Sequence, residues 1–229
     1  MLPLRDENRA KTFPVVNLAL IAANLGIYLT VFLQDAVRQH AILRSYALVP
    51  YELLTFTKVV GGATEVPAVA TLLTSLFLHG GWLHVLGNMW FLYIFGNNIE
   101  DRLGHWGYLA FYLVAGMVAS LVHALSDVHS VVPTIGASGA VSGVLGAYLV
   151  CFPRAKIHTL MILFIFIKIL RLPAVMFLGL WFLVQVLNSS METTAGGGVA
   201  WYAHLGGFLW GAVLLLLLRW HGAFVPRSR

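Results

Sequence analysis

A single cysteine, Cys151, occurs in 229 residues, which excludes an intrachain disulfide and a cysteine-ligated metal cluster. Charge is scarce too: charged residues make up 10% of the chain against 59% hydrophobic ones, at a mean hydropathy of +0.84, a balance that excludes an ordinary soluble domain. The net charge of +5 is spread singly or in small groups between apolar runs, with no basic helix or aromatic-interleaved patch, which argues against nucleic acid as a partner. None of the nine acidic residues falls in the outer half of a predicted span, so no carboxylate is available there to complete a buried triad, and Asp127 and Glu192 in outside loops are weak candidates. What the chain does have is long apolar runs, and these predict a multi-pass protein of the lipid bilayer.

Residues 1–12 read as a short cytoplasmic lead with Arg5, Arg9 and Lys11 beside the first span, and residues 221–229 as a cytoplasmic tail. Between them the apolar pattern predicts one membrane domain, 13–220, with spans over 13–33, 82–99, 107–125, 138–152, 172–187 and 199–218. The long first connection, 35–78, carries breakers such as Pro50, Gly61, Gly62 and Pro67, and predicts short interfacial helices. The apolar stretch from Ile157 to Ile167 lies between Lys156 and Lys168; at ~1.5 Å per residue it is too short for a core of ~30 Å and is expected to lie along the interface. Charge tests this count. With both termini inside, Arg5, Arg9, Lys11, Arg102, Arg154, Lys156, Lys168, Arg171, Arg219, Arg227 and Arg229 are inside, and only Arg38, Arg44 and Lys58 are outside.

The fourth span opens on Gly136-Ala137-Ser138-Gly139, a hydroxyl among residues too small to cover it. Small residues continue below it at Gly143 and Gly146, and the sixth span carries Ala203, Gly207 and Gly211 at four-residue spacing, two faces suited to close helix docking. Counting down to the first inside cation of each segment puts Ser138 ~24 Å, His204 ~22 Å, Asn88 ~21 Å and His84 ~27 Å above it. Four polar side chains from three separate spans thus fall in one layer. Polar groups at such depth need partners or water, so a shared polar cavity opening outward is expected. A serine hydroxyl becomes a nucleophile when a base takes its proton, and a neutral histidine is the commonest such base, so the chemistry pointed to is a Ser138–His204 dyad. His84, Asn88 and the Ser138 backbone N–H are placed to stabilise an oxyanion.

With HGGWLHVLGN holding His79, His84 and Asn88, GASG around Ser138, AHLGG around His204, and Gly96 with Glu100 after the second span, the chain resembles the rhomboid family of intramembrane serine proteases. The resemblance implies an all-α bundle of six transmembrane helices with a long first loop. It implies Ser138 as nucleophile, His204 as base and then acid, His84 and Asn88 as oxyanion donors, and room for the substrate backbone at Gly136 and Gly139. The substrate would be another membrane protein, cut near the outer end of its transmembrane helix, with neither metal nor cofactor involved. A plasma (inner) membrane location with an extracytoplasmic site follows by the same analogy. Many members have an aromatic residue one turn after the serine, on which the histidine ring stacks; Ser142 stands there, so the ring must be oriented by something else. The Trp-Arg pair often found in the first loop is missing as well.

Two other classes compete with a protease. One is a non-catalytic rhomboid-like protein that binds transmembrane helices, which would typically lack Ser138 or His204. The other is a small transporter, which would show inverted repeats or ionisable groups through the depth of the bundle. For His79, a structural hydrogen bond to a loop carbonyl is expected, because its five-residue spacing from His84 does not suit a shared metal. His105, His123, His129 and His158 fall near span ends or in loops, where solvation suffices.

Overall fold

The computed structural model describes residues 1–59, 66–163, 166–191 and 199–222; Gly61, Gly62, Glu192 and most of the expected tail lie outside the described residues. In chain order the elements are β1 (Leu2–Asp6), α1 (Val15–Phe32), α2 (Ala36–Tyr46), α3 (Pro50–Thr55) and α4 (Thr71–Thr74), the last flanked by single 3-10 turns. Then come α5 (Trp82–Leu103), α6 (His105–Ser126), α7 (Ser138–Cys151), β2 (Lys156–Leu163), β3 (Phe166–Pro173), α8 (Ala174–Met191) and α9 (Trp201–Trp220).

The molecule is a membrane protein with several apolar helices. Among the described residues, α1, α6 and α9 are long and apolar enough to cross a bilayer. Residues Ala68–Phe77 and α5 together form a fourth candidate, bent by 82° at the break between them; α5 carries polar residues along its length, His84, Asn88, Asn97 and Asn98 among them. α7, at 14 residues, and α8 are shorter apolar helices.

α7 lies at the centre. Every residue from Gly139 to Tyr148 is buried, with α5, α6, α8 and α9 packed around it. A helix apolar all round is what such a position requires. Its closest neighbour is α9. A methyl added at Gly146 would fall onto the Phe208 carbonyl, one at Gly207 onto the Gly139 carbonyl, and one at Gly211 onto the Gly143 carbonyl, so the two backbones touch. Around this pair Leu92, Phe95, Tyr108, Tyr112, Tyr148 and Phe177 form the core.

The expectation of an all-α fold is corrected by a three-stranded antiparallel sheet in the order β1-β2-β3. β2 and β3 pair from Lys156 with Pro173 to Leu163 with Phe166, and β1 joins β2 through Leu2 with Leu160 and Asp6 with Ile157. The stretch from Ile157 to Ile167 takes in nearly all of β2 and the start of β3, and the lead, 1–12, supplies the third strand. The reason is visible in Lys156-Ile-His-Thr-Leu: β-branched residues recur there, and Ile157 and Thr159, which share one face, are completely buried.

Polar side chains fasten the sheet end of the bundle. Glu100, almost fully buried, accepts hydrogen bonds from the backbone amides of Val16 and Asn17 at 2.9 and 2.7 Å, and so caps the free N-terminal donors of α1 from a neighbouring helix. His105 Nδ1 contacts the same carboxylate. Gly96, one turn before Glu100, is packed against the Asn17 side chain and the Tyr108 hydroxyl, which bond to each other at 2.8 Å.

Candidate active site

Ser138 is the first residue of α7, opposite the sheet end of that helix. As an N-terminal helical residue its amide has no intrahelical partner, and no side chain caps this end. The loop leading into it is held from below and beside: the Gly136 amide donates to the Ser75 carbonyl at 2.9 Å, Leu48 and Thr134 exchange backbone bonds at 3.0 and 2.7 Å, and the Tyr51 amide donates to Ser130 at 3.0 Å. The long first connection thus positions the serine through its short helices.

Gly136 has φ +126°, a conformation that L side chains rarely adopt. A methyl there would lie 2.7 Å from His84 Nε2 and 3.8 Å from Ser138 Oγ, so the missing side chain is what lets the imidazole and the hydroxyl flank one point. Gly139 is used differently. Its added methyl would meet the Ala119 methyl at 2.6 Å and lie 3.7 Å from that of Ala203, which places it in the packing of α7 against α6 and α9. Gly143 meets Ala115 in the same way, at 2.7 Å.

His84, Asn88, Ser138 and His204 all line one cavity of about 980 Å³, on α5, α7 and α9. Asn88 is buried and donates from Nδ2 to the His84 carbonyl at 3.1 Å, leaving its second amide hydrogen for another acceptor. Asp127 borders the cavity too, where its carboxylate accepts from the His129 amide at 3.2 Å. His79 stands behind the loop. Its Nε2 accepts from the Ala137 amide at 3.4 Å, beside Ser138, and its ring meets His84 edge to face at 5.0 Å.

The ring of His204 is buried between two tryptophans, Trp181 at 6.1 Å with a 34° tilt and Trp201 edge-on at 5.9 Å. Its Nδ1 is 2.7 Å from Oε1 of Gln185, a buried residue of α8. These contacts hold the ring where Ser142 offers no aromatic surface: Ser142 instead donates its hydroxyl to the Ser138 carbonyl at 2.6 Å. Trp181 and Gln185 were not singled out from the sequence. Gln185 is the only amide side chain between Ala174 and Leu187, a polar group inside an apolar run, which is the signal that would have found it.

The Rhomboid domain model matches residues 67–221, which contain every residue of this cavity apart from Pro50. The chain belongs to the rhomboid family. Among the rhomboids it resembles are RHOMBOID-like protein 5 of Arabidopsis thaliana, 35% identical over 156 residues that cover 65% of this chain and 44% of the relative. Rhomboid-like protein 11, chloroplastic, of the same plant is 31% identical over 162 residues, 66% of this chain and 53% of that one. Rhomboid protein 1, mitochondrial, of Saccharomyces cerevisiae is 31% identical over 204 residues, 85% of this chain and 51% of the yeast protein. The chain spans about half the length of the curated relatives it matches.

Proposed function

We propose that this rhomboid is an intramembrane serine endopeptidase that cuts transmembrane segments of other membrane proteins. The observation that carries the reading is the convergence of Ser138, His204, His84 and Asn88 on one cavity, with the serine at an uncapped helix N-terminus. In the first step His204 takes the Ser138 Oγ proton as the oxygen attacks the scissile carbonyl carbon. Negative charge then develops on the carbonyl oxygen. The Ser138 amide, the free hydrogen of the Asn88 amide and the His84 imidazole are the donors for it, reinforced by the positive end of α7. His204 returns the proton to the leaving amine, and an acyl-serine remains. Water, deprotonated by His204, attacks that ester, releasing the new carboxyl terminus and restoring the Ser138 hydroxyl.

The same reading places six helices, α1 and α5 to α9, across the bilayer, with the cavity towards the extracytoplasmic face of an inner or plasma membrane and both ends of the chain in the cytoplasm. A 14-residue α7 supports this, since at ~21 Å it leaves Ser138 below the surface of a ~30 Å core. The acidic groups near the dyad support a two-residue mechanism. Asp127 is engaged with the His129 amide, and Nδ1 of His204 faces an amide oxygen.

The test is cleavage of a single-span substrate by the purified protein in liposomes. Wild type is expected to give a defined cut, and Ser138→Ala and His204→Ala to give none while remaining folded. If wild type is inactive on several substrates and a serine-reactive phosphonate leaves Ser138 unlabelled, a non-catalytic binder of transmembrane helices replaces the protease.

A further inference from the structure

We propose that Gln185 is a positioning residue for His204: its side-chain amide fixes the histidine as the Nδ1–H tautomer and leaves Nε2 as the free proton acceptor facing the serine's cavity. This rests on the dyad reading of the site but is argued from a separate contact. Gln185 sits eleven residues into α8, ~17 Å along the helix from Ala174, in an otherwise apolar stretch. Its Nε2 donates to the Trp181 carbonyl at 3.3 Å, one turn back on the same helix. That bond sets which end of the amide faces the ring. With the NH₂ group spent on a carbonyl, Oε1 is left for His204, and an amide oxygen only accepts. A flipped amide would set two carbonyl oxygens against each other at Trp181.

Oε1 lies 2.7 Å from Nδ1, so the hydrogen in that bond belongs to the imidazole. A neutral imidazole carries one N–H, so Nε2 keeps its lone pair. Gln185 does not line the cavity, and therefore acts through His204 without reaching a substrate. The pair is buried on two helices nineteen residues apart in sequence, with the Trp181 and Trp201 rings closing the sides, so the ring has little freedom to rotate. An aspartate would provide the same acceptor with a charge attached. A glutamine supplies the acceptor in an apolar layer without burying an ion.

Two readouts test this. The first is nitrogen NMR of [15N]histidine-labelled protein, with the His204 signals assigned by their loss in His204→Ala. Wild type is expected to show His204 protonated at Nδ1 and bare at Nε2. Gln185→Met, which keeps an unbranched chain of similar length but has no amide oxygen, is expected to lose that preference, and Gln185→Glu to keep it. The second is kinetics: Gln185→Met should lower kcat by about 10- to 100-fold with KM unchanged, the cost of a displaced and mis-tautomerised base, and Gln185→Glu should restore most of the rate. A wild-type His204 protonated at Nε2 overturns the proposal whether or not the methionine variant folds. So does a folded Gln185→Met with wild-type kcat. If the tautomer is locked as expected but wild type cuts nothing, the positioning role stands and the protease reading falls.

Discussion

At the residue scale, the polar groups of the site were legible because apolar spans make them conspicuous. Ser138, His204, His84 and Asn88 each interrupt a hydrophobic run, and depth counting alone set them in one layer. The same rule picks out Gln185, which went unread because no small-residue motif surrounds it. The orientation of His204 was legible only as a question, since Ser142 showed what was missing but not what replaced it. Gly136 is the residue whose substitution separates conformation from chemistry. Gly136→Ala places a methyl 2.7 Å from His84 Nε2 on a backbone at φ +126°. It is expected to destabilise the protein by about 1–3 kcal/mol through strain and, on the proposed role of His84 as an oxyanion donor, to lower kcat by about 10²-fold as the imidazole is pushed away. Thermal unfolding in detergent and single-span cleavage measure the two separately, and wild-type kcat in the variant would remove His84 from the oxyanion role.

At the scale of elements, the small residues of α7 and α9 do their work as a pair. Gly146, Gly207 and Gly211 each lie against a backbone carbonyl of the other helix, so no rotamer change makes room for a methyl. Gly146→Ala is therefore expected to cost about 1–3 kcal/mol or more as the helices are forced apart. Gly179→Ala in α8, where nothing lies within 4 Å, should instead raise stability by about 0.5–1 kcal/mol through helix propensity. Unfolding midpoints of the two variants decide it, and an unchanged midpoint for Gly146→Ala would mean that α7 and α9 do not pack backbone to backbone. Helix positions were legible to within a turn or so, from 82–99 against Trp82–Leu103 to 199–218 against Trp201–Trp220. The hairpin was not legible. An apolar run flanked by lysines looks alike as an interfacial segment or a strand; β2 pairs with β3 beside it along its whole length, and with residues 2–6, over 150 positions away in the chain.

At the scale of the whole molecule, the two ends of the bundle are built on different principles. The Ser138 end is an open cavity whose polar groups have spare hydrogen-bonding capacity, and the sheet end is a closed network with its carboxylates engaged. Asp6 is its most exacting member. Its Oδ2 accepts from the Tyr148 hydroxyl at 2.6 Å and from Asn98 Nδ2 at 2.9 Å, so one side chain joins β1 to α7 and α5. Desolvation outweighs these bonds and pushes the carboxyl from its usual 3.8 up to about 6. The folded state then holds this proton more tightly than the unfolded chain. Its stabilising contribution is full below about pH 4, declines as pH rises to about 6, and is flat above that. Neighbouring Glu7 has the opposite sign. Its hydrogen bond with His158 lowers its pKa, so its contribution is lost only as pH falls below the ordinary glutamate range. Subtracting the unfolding midpoint of Asp6→Asn from that of wild type across pH 4 to 7 cancels Glu7 and the histidines and leaves Asp6 alone. The difference is expected to move against wild type as pH rises through that window, because the asparagine keeps an acceptor without a charge to bury. A difference that stays constant would mean that Asp6 is hydrated in solution, and that β1 is held by its backbone pairing with β2 without this buried carboxyl.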